Sequence, residues 1–150
     1  MRILPALVAG ALLAVPLGPA AQPRGEAMPL GEQLSRAVDI PPEDWRALAA
    51  GRTLTYRIDG AFWAMERYDT EGNAVMLQFL DGECLQGVWE YTAPHYCFHW
   101  EERGTACFRH ARLDDRIVVI ETQDGIETGA VQEVSDISQI PLACGPAQVS

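Results

Sequence analysis

The chain from Thr53 onward alternates between hydrophobic and polar residues with a period of two, which is typical of half-buried β-strands. Turn residues separate the alternating runs, and three of the turns contain Asp-Gly, a strong signal for a β-hairpin. Eight strands are predicted, at residues 53–58, 61–68, 74–80, 84–91, 95–101, 106–112, 116–122 and 127–134. The pattern predicts a mainly β fold, either a small antiparallel up-and-down barrel or a sandwich of about eight strands.

One helix is predicted before the strands, within residues 39–51. Pro42 suits the first helical turn, and Gly51 is a natural stop. Trp45 and Leu48 fall on the same face of this helix, so we expect that face to dock on the sheet.

The N-terminus carries a different pattern. Arg2 is followed by an uninterrupted apolar run and then by small residues, as in a secretory signal peptide. We therefore predict a signal peptide over residues 1–21, a flexible leader over 22–38 and a single β domain over 39–150 with an N-terminal helix and a C-terminal strap. The expected location is the bacterial periplasm or the outside of the cell. Because no later segment is apolar enough to span a bilayer, no stable membrane insertion is expected after cleavage.

The four cysteines follow the predicted signal peptide, and this placement is typical of two disulfides in an oxidising compartment. Folding residues 95–110 about a turn near Gly104 places Cys97 opposite Cys107, a pairing whose geometry suits a disulfide. Three pairings are possible, and we predict Cys97–Cys107 together with Cys84–Cys144. A zinc site is the alternative, but the sequence lacks the C-x-x-C pair typical of such sites.

The same hairpin segregates its side chains between two faces. One face carries the cysteines, and the other carries Tyr96, Phe98, Trp100, Ala106, Phe108 and His110. The first face also holds His95 and His99, which a strand separates by about 13 Å, too far for one metal ion. Cys97, His99 and Glu101 alternate along one strand at spacings of about 6.6 Å, which prevents a catalytic relay. No catalytic residue and no metal site is therefore predicted.

The negative net charge of the chain argues against anionic partners. The chain has 11 basic and 21 acidic residues, for a formal net charge of −10, and its basic residues are all arginines. Nucleic acids and anionic membrane surfaces are attracted to basic surfaces, so neither is an expected partner. The acidity permits a cationic protein partner in the cell envelope. No cofactor is expected, because the chain has none of the common phosphate-binding or metal-binding motifs.

The candidate ligand-binding residues are one aromatic set and two ionisable side chains. They could line a pocket for a small apolar ligand or form an ordinary core, since an eight-stranded barrel can do either. Glu66 points inward in one register of residues 61–68, where it would need a partner such as Arg57 or Arg109. In the other register Trp63 and Met65 point inward, and the sequence leaves this choice open. The full candidate set is Glu66, Trp89, Tyr91, Tyr96, Phe98, Trp100, Phe108 and His110.

Two short motifs resemble known families. Gly87-Val88-Trp89 resembles the G-x-W element of lipocalin-type (calycin) barrels, although it lies in mid-chain, and it implies a small barrel. A second pattern resembles small secreted proteobacterial proteins of unknown function, which implies a compartment and a fold type but no activity. It consists of Asp81-Gly82-Glu83-Cys84, Gly87-Val88-Trp89, Cys97-Phe98 and Cys107-Phe108.

These observations favour a secreted or periplasmic protein that binds a ligand and is not an enzyme. The first alternative is an envelope interaction protein or inhibitor that uses its acidic surface. The second is a small hydrolase, which would require a deep pocket holding a carboxylate or His110 beside a second polar group.

Overall fold

The computed structural model describes residues 28–145, so the predicted signal peptide and the first part of the leader lie outside the described residues. The described chain is mainly β, as predicted. Its helices are α1 (Leu30–Ser35) and α2 (Pro42–Ala49). Its strands are β1 (Val38–Asp39), β2 (Thr53–Ile58), β3 (Ala61–Tyr68), β4 (Ala74–Phe79), β5 (Cys84–Thr92), β6 (His95–Trp100), β7 (Gly104–Leu113), β8 (Arg116–Gln123) and β9 (Ile126–Ser138).

Strands β2 to β9 form a closed antiparallel up-and-down barrel, so the barrel is the correct one of the two predicted architectures. Each strand pairs with the next one along the chain, and β9 closes the circle by pairing with β2. Closure is possible because β9 is long: residues 126–134 pair with β8, and residues 133–138 pair with β2. The short strand β1 adds to β7 outside the circle, with Val38 opposite Arg112.

The predicted hairpin is confirmed as β6 and β7. Cys97 lies opposite Cys107 and His99 lies opposite Thr105, in the predicted register. The Cα atoms of Cys97 and Cys107 are 4.1 Å apart, those of Cys84 and Cys144 are 6.0 Å apart, and both sulfur pairs lie at disulfide distance. The predicted pairing is therefore confirmed.

Helix α2 closes one end of the barrel. Its Trp45 is fully buried, with its ring centroid 5.9 Å from that of Tyr68, 6.0 Å from that of Tyr96 and 4.1 Å from that of His110. The predicted apolar face of the helix is correct, but it enters the end of the barrel instead of lying on a sheet face. The reason is that a closed barrel offers an apolar surface to a helix at its ends as well as on its outside.

The two segments that flank the barrel contain more structure than their sequence suggests. Within residues 22–38, predicted as a flexible leader, α1 buries Leu34 against Leu113 and Val118 on the outer face of the barrel. The last predicted strand ends at residue 134, but β9 continues to Ser138 before the C-terminal strap leaves the sheet. Within residues 28–145 no helix has the length and apolar character needed to cross a membrane.

Candidate functional site

The half of the barrel away from α2 is hollow. It contains a cavity of about 260 Å³ whose walls are mostly aromatic and aliphatic. The cavity reaches the surface beside the turn between β6 and β7, where the exposed Arg103 and the half-buried Glu121 and Gln132 line it. The apolar walls consist of Trp63, Leu77, Phe79, Leu85, Phe98, Trp100, Phe108 and Val119.

The space exists because small residues occupy inward positions near the open end. Gly87 faces Trp100 across β5 and β6, and a Cβ atom at Gly87 would lie 2.8 Å from the Trp100 ring and 2.6 Å from the carbonyl oxygen of His99. The glycine therefore lets Trp100 lie against the wall instead of across the cavity. Phe98 stacks on Trp100 with ring centroids 5.9 Å apart, and Ala106 opposite Phe98 adds little volume.

Glu66 is the buried acid of the site. It is 4% exposed and projects from β3 into the barrel. The hydroxyl groups of Tyr56 and Tyr68 both donate to Oε2 of Glu66, each at 2.7 Å. Burial raises the pKa of Glu66 from its usual 4.5 to about 7, and the two tyrosine hydrogen bonds oppose that rise without cancelling it. Glu66 is therefore a carboxyl group that changes charge near neutral pH.

The partners of Glu66 differ from those expected. Arg57 donates to the carbonyl oxygen of Gly60, and Arg109 forms ion pairs with Asp39 and Glu127. The prediction that either arginine pairs with Glu66 is thus wrong. Tyrosines occupy that role because Tyr68 lies two residues along the same strand and Tyr56 lies on the neighbouring strand.

Within residues 28–145, Glu66 has no cationic partner. The nearest candidate by position is Arg103, which lines the same cavity but is paired with Glu83. Both tyrosine bonds end on one carboxyl oxygen, and no described residue donates to the other, Oε1. The ionised form of Glu66 is therefore a buried negative charge with hydrogen-bond donors but without a counter-charge.

His110 is the second ionisable group of the cavity. It is 1% exposed, and its ring stacks on Tyr96 with a centroid separation of 4.0 Å. Neither ring nitrogen of His110 has a hydrogen-bond partner among the described residues. Burial lowers the pKa of His110 from 6.5 to about 3, so the ring is neutral near pH 7 and offers one donor and one acceptor. An unsatisfied buried ring of this kind is uncommon and points to a partner that the protein itself does not supply.

The register of β3 combines the two alternatives that its sequence offered. Glu66 points inward, but Trp63 also lines the cavity. The reason is a bulge: Tyr56 lies opposite Ala64 and Arg57 lies opposite Phe62, so Trp63 has no opposed residue. A bulge changes the direction in which the neighbouring side chains point, and a prediction from strict alternation does not include it.

The predicted ligand-binding residues fall into two groups. Glu66, Phe98, Trp100, Phe108 and His110 line the cavity together. The other three belong to the closed half of the barrel, where their rings pack on one another near α2. These three are Trp89, Tyr91 and Tyr96.

Several site residues escaped the sequence analysis. Tyr56 could not have been found by simple pairing across the turn at residues 59–60, which places it opposite Trp63. The bulge shifts it opposite Ala64, on the face that carries Glu66. Tyr68 could have been found from its position two residues after Glu66. The wall residues Leu77, Phe79 and Leu85 carry no signal beyond ordinary alternation, because a core position and a cavity position have the same pattern.

The described residues include no group of three or more histidine, cysteine, aspartate or glutamate side chains placed to hold a metal ion. What the site offers is a small apolar chamber that contains a titrating carboxyl group, a neutral imidazole and phenol hydroxyls. Such a chamber can hold a small organic molecule and orient one polar group of that molecule.

No protein-family model, curated protein sequence or solved structure matches this chain.

Proposed function

We propose that the protein is a secreted or periplasmic binding protein that holds one small, largely apolar molecule inside its barrel. The observation that carries the proposal is a cavity of about 260 Å³ that joins aromatic walls to a buried carboxyl group and to a buried imidazole without a protein partner. The predicted signal peptide and the two cysteine pairs at disulfide distance support a location in an oxidising compartment. The lipocalin-type resemblance of Gly87-Val88-Trp89 supports a barrel of the ligand-binding kind.

The volume of the cavity limits what it can hold. A void of about 150 Å³ already holds benzene. The observed 260 Å³ therefore suits a molecule with about one ring and a short side chain, and it is too small for a long-chain lipid.

The polar groups argue in the same direction. A barrel whose centre served stability alone would be filled by apolar side chains, because an unsatisfied buried polar group costs about 1–3 kcal/mol. Glu66 and His110 instead occupy the wall of the cavity. A ligand that carries one polar group would satisfy one or both of them on binding.

The proposal is tested first by native mass spectrometry of the protein purified from the periplasm. Extra mass that is lost on denaturation is expected and would identify the natural ligand directly. In parallel, the purified protein is titrated with n-propylbenzene and 2-phenylethanol while tryptophan fluorescence is recorded. Saturable binding with one site is expected, because Trp63 and Trp100 line the cavity and report on it.

A filled-cavity variant supplies the control. Ala106→Phe places a ring into the cavity and should abolish the fluorescence titration, whereas Ala74→Phe places the same ring on the outer surface and should leave it intact. Circular dichroism confirms that both variants fold. If wild-type protein saturates with neither compound, or if Ala106→Phe binds as wild type does, the cavity is not a binding site.

A second candidate function is acid–base catalysis, which one observation favours. Glu66 has a pKa of about 7 and lies inside the cavity, and such a carboxyl group can give or take a proton at neutral pH. The described lining contains no serine, threonine or cysteine, so a hydrolase that uses a hydroxyl group of Ser or Thr or a thiol as its nucleophile has none there. Turnover of a bound ligand that Glu66→Gln abolishes would favour catalysis over binding alone.

A further inference from the structure

We propose that the natural ligand is a small organic cation, an apolar body with one ammonium group, whose charge pairs with Glu66 inside the barrel. This inference rests on the proposed binding function and names its ligand class. It begins from the missing counter-charge: Glu66 is 4% exposed, accepts hydrogen bonds only from the neutral hydroxyls of Tyr56 and Tyr68, and meets no arginine among residues 28–145.

The remaining groups around Glu66 support a cation and oppose an anion. From β2 and β3 the carboxyl faces tyrosines, whose pKa values burial raises above their usual 10, so both stay neutral. From β7 it shares the cavity with the neutral His110. The other charges that line the cavity are Glu121 on β8, which is negative, and Arg103, which is paired with Glu83.

The walls contributed by the other strands are also suited to a cation. Strands β4, β5 and β6 present apolar side chains to the cavity, and β9 presents the uncharged Gln132. Aromatic faces attract cations within about 6 Å of the ring centroid. The indole rings of Trp63 and Trp100 therefore offer stabilisation for the ammonium group or its neighbouring methylenes while the hydrocarbon body fills the chamber.

Binding of such a ligand is coupled to a proton. The ammonium group interacts with the ionised form of Glu66, whereas the free protein carries a proton there below about pH 7. Affinity should therefore fall as the pH drops below 7, by up to about tenfold per pH unit. A neutral ligand of the same shape has no such dependence.

The test compares three probes of similar size: 2-phenylethylamine as the cation, n-propylbenzene as the neutral isostere and phenylacetate as the anion. At pH 8 the amine is expected to bind about tenfold or more tightly than n-propylbenzene, and phenylacetate more weakly than either. Calorimetry at pH 6 in two buffers of different ionisation enthalpy should show release of close to one proton per amine bound.

Two variants locate the effect. Glu66→Gln should bring the affinities for the amine and for n-propylbenzene, both measured in that variant, to within about threefold of each other. Glu90→Gln removes one negative charge from the outer surface and should keep the full preference, since Glu90 is exposed and hydrogen-bonds to His99.

The outcomes separate the two proposals. If n-propylbenzene binds and the amine gains nothing, the cavity is a binding site but its ligand is not a cation. If the amine preference survives in Glu66→Gln, the charge pair is not its cause and the inference is overturned. If none of the three probes binds, the inference falls together with the proposed function.

Discussion

Glu66 and His110 oppose each other in the dependence of stability on pH, and this opposition makes a sharp prediction. Glu66 has a raised pKa in the folded protein, so its contribution to stability is fully present below pH 4.5 and is lost as the pH rises to about 7. His110 has a lowered pKa, so its contribution is fully present above pH 6.5 and is lost as the pH falls to about 3.

The two effects overlap between pH 4.5 and pH 6.5. Each changes the free energy of unfolding by about 1.4 kcal/mol per pH unit, with opposite signs. The wild-type protein should therefore show almost no net effect of this pair across the interval. Removing either group should uncover the effect of the other, about 3 kcal/mol over the two pH units.

The assay is urea unfolding, followed by tryptophan fluorescence without reductant, at several pH values between these limits. Glu66→Gln keeps an acceptor for the tyrosines, and relative to wild type its stability should rise by about 3 kcal/mol as the pH increases across the interval. His110→Phe keeps a ring in the stack on Tyr96, and relative to wild type its stability should fall by about the same amount. Absolute stabilities will differ between variants, but only the slopes test the reasoning.

Glu71→Gln is the matched control, because Glu71 is exposed and has no ion-pair partner among residues 28–145, so its profile should run parallel to that of wild type. If Glu66→Gln also runs parallel to wild type, Glu66 ionises in the native state much as it does in the unfolded chain. That result would mean that the cavity is well hydrated, and it would remove the charge argument for a cationic ligand.

Three further outcomes follow from the packing. Trp45→Ala should cost about 3–5 kcal/mol of stability in urea unfolding, because it leaves a cavity between α2 and the barrel. A loss below about 1 kcal/mol would show that Trp45 does not fill the closed end of the barrel. Gly87→Ala should push Trp100 toward the cavity, lower stability by about 1–3 kcal/mol and weaken binding of n-propylbenzene. Unchanged binding would show that a part of the barrel wall other than Trp100 moves to make room for the added methyl group. Replacing Cys84 and Cys144 by serine should lower the free energy of unfolding by about 4 kcal/mol, on the chain-entropy model for a 60-residue separation. Limited proteolysis near residue 140 should also become faster, and an unchanged cleavage pattern would show that hydrogen bonds alone hold the strap.

The barrel strands could be predicted because most of their alternation is undisturbed. Strands β2 and β3 begin and end at the predicted residues, and the β6–β7 hairpin follows from two agreeing signals, the cysteine match and the separation of faces. Both cysteine pairs could be predicted for the same reason, since strand pairing fixes one of them and leaves the other as the remaining choice. Barrel closure could not be predicted, because it depends on β9 pairing with strands on both sides, and alternation within one strand does not specify its neighbours.

The candidate site could be predicted only in part, because a core and a cavity use the same alternation of residues. Five of the eight proposed residues line the cavity, and the other three fill the closed end, although the aromatic residues of both groups were chosen by the same criterion. The two groups differ in how completely the side chains around them, which come from strands distant in sequence, fill the inside of the barrel. At the closed end Trp45 enters from a helix and takes up the space, whereas at the open end Gly87 and Ala106 leave it empty.

The positions of the polar groups give the empty half its chemical character. An empty apolar chamber needs no carboxyl group, and a carboxyl group kept for structure would be expected to have a buried cation beside it. Glu66 has two phenols instead, which hold its orientation through Oε2 but leave the charge uncompensated. His110 adds an unsatisfied imidazole to the same wall. A carboxyl group that is held in one orientation but has no counter-charge is expected where its partner is a ligand that binds and dissociates. For this reason we place the ligand's polar group at Glu66.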